Sequence, residues 1–327
     1  MSKIKSLKVL WWLLIVLLLW WAWRDISMPA LLDSLSRLTP RALGLLFVIN
    51  SGILLLFGSR WWLILRGLGY RTPYFVLAAY RLAGFGVSYF TPGPQFGGEP
   101  LQVYLLHTKY QVPTDTALAS VSLDKIFEVL ANFTFLLLGV IIVMWRGLFL
   151  QAFARIIIPV SVGIVILLLG YLFALLGRLT PLAWILGLLP FNEKQPRFRA
   201  IRQTLLETES QMGEFCLRQP KIVLLATLLS SLIWLVLLGE YLLALFFLGL
   251  PVNIYELLGI ILFARLAFLT PLPGGLGALE AGQVFAMQSL GFDPLFGVSV
   301  SFFIRARDSL FGLLGLGLGY FSRARQK

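Results

Sequence analysis

The sequence predicts an all-α integral membrane protein with about six transmembrane helices and two re-entrant helical hairpins, and three observations carry that expectation. First, 59% of the 327 residues are hydrophobic and 13% are charged, against roughly 25% charged residues in an ordinary soluble domain. Second, apolar runs near the length needed to cross a bilayer, about 20 residues, recur from end to end and leave no room for a separate globular domain. Third, two further apolar segments are broken by clusters of Pro and Gly. A single polytopic domain over 1–327 follows, with halves of about 1–150 and 151–327.

The first apolar run, Val9 to Trp23, lies behind Lys3, Lys5 and Lys8 and superficially resembles a signal peptide. No small-residue cleavage site follows, and Trp20, Trp21 and Trp23 read as an interfacial anchor, so the run is expected to stay as a helix. The other clear spans fall near 42–58, 114–144, 156–177, 221–249 and 294–320. Six spans place both termini on the same, cytoplasmic side. On that assignment Lys3, Lys5, Lys8, Arg60, Arg66, Arg71, Lys109, the basic residues from Arg178 to Lys221, and Arg323, Arg325 and Lys327 lie inside, whereas Arg24, Arg37, Arg41, Arg146 and Arg155 lie outside. The asymmetry is the positive-inside pattern of a cytoplasmic (plasma) membrane protein. It assigns the net charge of +12 to anionic lipid headgroups and not to nucleic acid. The polar segment 191–220 contains a charged stretch from Arg199 to Phe215 that is expected to form a helix on the inner membrane surface.

Two segments depart from simple spans. Tyr74 to Phe90 runs into Thr91-Pro92-Gly93-Pro94-Gln95-Phe96-Gly97-Gly98-Glu99-Pro100 and a short apolar stretch to Leu106. Glu256 to Leu269 runs into Thr270-Pro271-Leu272-Pro273-Gly274-Gly275-Leu276-Gly277 and then Glu280. Backbone broken at membrane depth is tolerated only where protein or a water-filled cavity satisfies it, so both tips should face the interior. The two hairpins are also alike: an offset of 179 residues superposes Thr91, Pro92, Pro94, Gly98 and Ser120-Val121-Ser122 on Thr270, Pro271, Pro273, Gly277 and Ser299-Val300-Ser301. Three crossings per half would invert the second copy relative to the first. Inverted repeats whose broken helices meet near the midplane are a recurring plan of secondary transporters.

Eleven ionisable residues fall within apolar segments: Arg81, Lys125, Arg265, Arg305 and Arg307 with Glu99, Asp124, Glu128, Glu240, Glu280 and Asp308. Each of Arg, Lys or Asp costs about 2.5–3.5 kcal/mol at a helix centre. The bland account pairs them, Asp124 or Glu128 with Arg81 and Asp308 with Arg265 or Arg305. The functional account notes that they gather around the two breaks, where helix N-termini after Gly97-Gly98 and Gly275-Gly277 would offer free N–H groups to a phosphate oxygen. Gly312, Gly315, Gly317 and Gly319 in the last span are adequately explained by close helix packing. Walker A, His-Glu-x-x-His and Gly-x-Ser-x-Gly motifs do not occur. Cys216 and His107, each the single residue of its kind, cannot together build a zinc site. No cofactor and no catalytic role are therefore expected, and Glu99, Glu280 and Asp124 are the candidate proton carriers.

Gly97-Gly98-Glu99-Pro100-Leu101 followed by Tyr104-Leu105-Leu106, Ala117 through Lys125, and Pro273-Gly274-Gly275-Leu276-Gly277 with Glu280 resemble the flippase-like membrane domain of lysylphosphatidylglycerol synthases and of stand-alone proteins. The resemblance covers nearly the whole chain. Two departures are Gln95-Phe96 between Pro94 and Gly97, and the cluster Arg305-Ala306-Arg307-Asp308 with its extra ion pair. The resemblance implies movement of a lipid between leaflets, with Arg81, Glu99, Asp124, Lys125, Glu280 and Arg305 at the matching cavity positions, to which the charge pattern adds Arg265. It does not imply lipid aminoacylation, which in the synthases belongs to a soluble domain. An anionic phospholipid, glycolipid or polyprenyl-phosphate lipid is the expected substrate class; a lipid-headgroup transferase and a scaffold for a lipid-modifying enzyme are the alternatives. A lipid-modifying enzyme and a second copy of this chain are the candidate protein partners.

The inverted arrangement has a direct check. With Cys216 replaced, single cysteines at Lys109 and Asp293 are expected to react with an impermeant maleimide from opposite faces of sealed vesicles; same-face labelling would sink the inversion.

Overall fold

The structure, a computed structural model, describes residues 2–91, 97–145, 147, 151–188 and 196–324. Pro92 and Pro94, and residues 191–195 of the surface segment, lie outside the described residues. All regular structure among the described residues is helical: α1 (Ser2–Trp23), α2 (Met28–Ser36), α3 (Pro40–Gly67), α4 (Tyr74–Phe90), α5 (Glu99–Tyr110), α6 (Thr114–Trp145), α7 (Gln151–Leu176), α8 (Pro181–Leu188), α9 (Pro196–Arg218), α10 (Pro220–Phe247), α11 (Ile254–Phe268), α12 (Ala278–Ser289) and α13 (Pro294–Ala324), with one 3-10 turn at Pro273–Gly275. The protein is an all-α membrane protein. Four helices, α3, α6, α10 and the Arg155–Leu176 part of α7, are long and apolar enough to cross a bilayer; α1 and α2, bent by 76°, together supply a fifth candidate. The sixth expected span, α13, is 31 residues long but carries Arg305, Arg307 and Asp308 in its middle.

Local chemistry sets the helix ends. α3 and α10, each 28 residues, both begin at a proline, whose missing N–H is no loss in a first turn. The Thr39 hydroxyl accepts the Ala42 N–H at 3.3 Å. Asn253 accepts the N–H groups of Tyr255 and Glu256 while Glu256 reaches back to the Asn253 N–H, a reciprocal cap that starts α11. Two helices were not anticipated. α2 is a short amphipathic turn docked on α13 through a 2.9 Å Ser34–Ser299 hydroxyl bond. α8 lies between the fourth expected span and the polar segment, and its sequence, Pro-Leu-Ala-Trp-Ile-Leu-Gly-Leu, is apolar. Buried Glu209 of α9 holds it, accepting the Leu182 and Ala183 N–H groups at 3.0 and 2.9 Å and the Tyr171 hydroxyl at 2.9 Å. Thr208 and Gln211 of α9 bond Asp115 at the start of α6. The expected surface helix is thus fastened to three of its neighbours. Burial in this layer pushes the Cys216 thiol up to about 11, so it is un-ionised and slow to react near neutral pH.

The two hairpins fold as anticipated from their breaks. α4 and α11, of 17 and 15 residues, are only about 25 and 22 Å long at 1.5 Å per residue, short of a hydrocarbon core of about 30 Å. Each then turns back: Gly98 sits so close to the Gly84 carbonyl that a Cβ there would collide with it, and Gln283 on α12 donates to the Ile260 carbonyl at 2.9 Å. The second tip turns on Gly274 (φ 53°), Gly275 (φ 65°) and Gly277 (φ 78°), left-handed backbone that glycine adopts without a Cβ penalty. A Cβ on Gly277 would also press on Ile15 and Leu18 of α1.

Packing between the halves is an exchange. α4 lies along α13, α11 along α6, and α3 against α10. The α4–α13 seam is lined by small residues: Gly312 stands against Phe90, Gly315 against the Leu82 carbonyl, Gly319 against Ala83, and Gly86 against the Gly312 carbonyl. Without lipid exclusion to drive them together, membrane helices associate through such close van der Waals contact. Gly317 points away and meets nothing within 4 Å. Gly315→Ala is therefore expected to lower stability by about 1–3 kcal/mol, as overpacking does, whereas Gly317→Ala should be near neutral. Thermal unfolding of the two variants in detergent distinguishes them.

Candidate functional site

Seven helices, α3, α4, α5, α6, α10, α11 and α13, enclose a cavity of about 170 Å³ between the hairpins. Its wall mixes aromatic and aliphatic side chains with Arg81, Lys125, Arg265, Arg307, Glu99, Glu128, Glu240 and Asp308. Four expected site residues, Arg81, Glu99, Lys125 and Arg265, thus meet in one place. The other three do not line it. Asp124 is buried behind the wall, and Glu280 and Arg305 stand at the second tip.

One charge lies where the sequence had not placed it. Arg60, assigned to the cytoplasmic side because the second span was ended at 58, is 1% exposed and inside the bundle. α3 continues through Trp61-Trp62-Leu63-Ile64-Leu65 to Gly67, and that apolar continuation was the signal for it. Arg60 Nε donates to Asp124 Oδ1 at 2.7 Å, Nη1 to the Ser230 hydroxyl at 3.0 Å and Nη2 to Glu128 at 3.4 Å. Arg81 bonds Glu128 and approaches Asp124 at 3.7 Å, close to the expected pairing. The expected partners of Asp308 are corrected. Arg307 takes it, with Nε 2.8 Å from Asp308 Oδ1, and Arg307 also holds Glu240 at 2.9 Å. Neighbours on a helix diverge, so the long Arg307 side chain has to fold back to reach Asp308, whereas Arg305 points toward the tip.

The two tips carry the same device. Glu99 Oε2 accepts the Gly97 N–H at 2.7 Å and Lys125 meets the other oxygen at 3.2 Å. Glu280 Oε2 accepts the Gly277 N–H at 3.0 Å and Arg305 bonds both its oxygens. Each carboxylate thus closes the first turn of its own helix, and a cation from the next long helix closes over the carboxylate. Arg305 reaches further, donating to the Gly274 and Gly275 carbonyls at 3.1 Å each, so it ties down a tip whose backbone groups would otherwise be unpaired. This changes the expectation that free N–H groups at the helix starts await a phosphate. Gly97 and Gly277 already have carboxylates, and the Gly98 N–H donates to the Ser88 hydroxyl at 2.9 Å.

Arg265 is the exception among these cations. Its guanidinium lies over the Trp234 ring, 4.6 Å from the centroid, and among the described residues it meets no carboxylate within ion-pair distance. A ring face stabilises a desolvated cation by about 2 kcal/mol or more without using its hydrogen-bond donors. Those donors remain available to the cavity. Among the described residues no group of three or more His, Cys, Asp or Glu is placed to hold a metal ion.

Comparison with known sequences agrees with this architecture. The family described as the lysylphosphatidylglycerol synthase TM region matches residues 8–315. The chain belongs to that family. Its match runs from α1 through both hairpins and into α13, so every cavity residue lies within the family region. A UPF0104 membrane protein of Methanothermobacter thermautotrophicus is 26% identical over 275 residues, covering 80% of this chain and 79% of that protein. No solved structure matches. A role for the family region in membrane lipid metabolism or transport is the common ground.

Breaking one partner of a buried pair leaves an uncompensated charge, at a cost of about 3–5 kcal/mol. Asp124→Ala is expected to destabilise on that scale, and the double variant Arg60→Met with Asp124→Leu considerably less, as measured by denaturation in detergent.

Proposed function

We propose that this protein moves an anionic lipid between membrane leaflets, the headgroup crossing through the cavity while the tails stay in the bilayer. A phospholipid, a glycolipid or a polyprenyl-phosphate lipid fits that description. The observation that carries the reading is Arg265: a guanidinium on the cavity wall, backed by Trp234 and bonded to no carboxylate among the described residues, is a preorganised seat for a phosphate oxygen. The family supports a lipid as the molecule handled. The surrounding apolar wall, with Phe57, Phe85 and Ile261, suits the glycerol or first acyl carbons beside the headgroup.

Of the residues expected to bind substrate, Arg81, Glu99, Lys125 and Arg265 line the cavity and keep that role. Asp124, Glu280 and Arg305 act through structure, by balancing Arg60 and by holding the second tip. A transferase would need a donor site and a base able to give up its partners, and Glu99, Glu280 and Asp124 are each held by a cation.

Purified protein in liposomes containing a fluorescent phosphatidylglycerol, whose outer-leaflet fraction is destroyed by dithionite, tests this. Wild type should expose the inner-leaflet pool. Arg265→Ala should slow that exposure about 10–100-fold, since a hydrogen bond to a charged group contributes about 1.5–3 kcal/mol. A lipid of altered mass would instead identify a transferase, and an unchanged inner pool would leave a scaffold.

A further inference from the structure

We infer that the cavity reads a hydroxyl group on the lipid it carries, and that Gln102 and Ser88 are the residues that read it. This rests on the anionic-lipid reading above and specifies the headgroup: a polyol, such as glycerol or a sugar, joined to the phosphate.

The two hairpins place a glutamine alike and use it differently. Gln102 in α5 and Gln283 in α12 each follow by three residues the glutamate in the first turn of their helix. The fold consumes Gln283. Its Oε1 accepts the Tyr241 hydroxyl at 2.6 Å and its Nε2 donates to the Ile260 carbonyl at 2.9 Å, which ties α12 to α10 and α11. Gln102 is only 2% exposed, yet among the described residues its side-chain amide meets no hydrogen-bonding partner. It stands on the cavity wall. A buried amide without a partner is costly, and native structures pair nearly all of them. Tertiary packing therefore accounts for Gln283 and leaves Gln102 to whatever fills the cavity.

The surroundings of Gln102 supply its complement. Gly84 and Ser88 lie one turn apart on α4, as do Gly98 and Gln102 across from them, and residues four apart share a helix face. The absence of a side chain on Gly84 makes the room: a Cβ there would take the place of the Gln102 amide. Ser88, also buried and on the cavity wall, accepts the Gly98 N–H at 2.9 Å. Its own proton finds no acceptor among the described residues. This corner of the cavity thus offers an amide oxygen that accepts, amide N–H groups that donate and a hydroxyl proton that donates, all uncharged. A ligand hydroxyl both donates and accepts, so it can bond Gln102 and Ser88 together. An ammonium only donates and would leave the Ser88 proton and the amide N–H groups unpaired. A second phosphate only accepts and would leave the amide oxygen unpaired. Arg265, on the same wall, holds the phosphate charge.

Three short-chain lipids with the same phosphodiester and different alcohols test this: dihexanoyl phosphatidylglycerol, dihexanoyl phosphatidylinositol and dihexanoyl phosphatidylpropanol, the last without a hydroxyl. In calorimetric titration of the detergent-solubilised protein, the better of the two hydroxyl lipids should bind about tenfold more tightly than the propanol lipid, which leaves a buried amide unpaired. Preference for the inositol form marks a sugar-like ring, and preference for the glycerol form an open polyol. In Gln102→Met that advantage should disappear while the propanol lipid binds as before, because Arg265 is untouched. Gly84→Ala, which displaces the Gln102 amide and removes no polar group, should have the same effect. Equal binding of all three lipids to the wild type overturns the inference and leaves the anionic-lipid reading standing; an advantage that survives in Gln102→Met or in Gly84→Ala also overturns it. A wild type that binds none of the three overturns both.

Discussion

A carboxylate at bilayer depth is tolerated when a cation stands against it and its remaining lone pairs find donors. In this chain that requirement reaches from the tips to the centre. Glu99 and Glu280 begin α5 and α12 with Lys125 and Arg305 over them, and each of those cations sits in its long helix against a carboxylate. The hairpins therefore keep their place through charge as much as through apolar contact. Arg60 shows the same constraint from the other direction: a fully buried arginine in a helix long and apolar enough to span is acceptable because Asp124, Glu128 and Ser230 converge on it.

The long-range ion pairs run in both directions. On α3, Arg60 reaches across to carboxylates of α6; on α10, Glu240 reaches across to Arg307 of α13. The two clamps, by contrast, keep the same polarity, a glutamate on the short helix and a base on the long one. The cation can thus stand on either helix of a pair provided that the pair remains balanced. Hydrocarbon surroundings select for the pair and are indifferent to which member is positive.

Much of this was legible in the sequence. Long apolar runs, the two Thr-Pro breaks and the buried charges were all readable, because each is a local departure from what lipid permits. The short helices α2 and α8 were not: they are too brief to register as spans, and α8 owes its place to Glu209, twenty-eight residues after its first residue. Partner choice was also beyond local reading. Asp308 has two arginines within three residues and a third, Arg265, across the fold, and only the direction in which each side chain folds assigns Arg307 to it. Arg60 was misread for a simpler reason, since a positive residue at the end of an apolar run resembles a topology signal until the tryptophans beyond it are counted as part of the helix.

α13 joins the cavity wall to both hairpins and to α2. Its glycines carry α4 on one flank, Arg305 grips the second tip, Arg307 and Asp308 form part of the cavity wall, and Ser299 is fixed to α2. It therefore works as a common axle. Any rotation of it would shift the glycine contacts beneath one hairpin, the backbone of the other and the charges on the cavity wall together, because one helix carries all three.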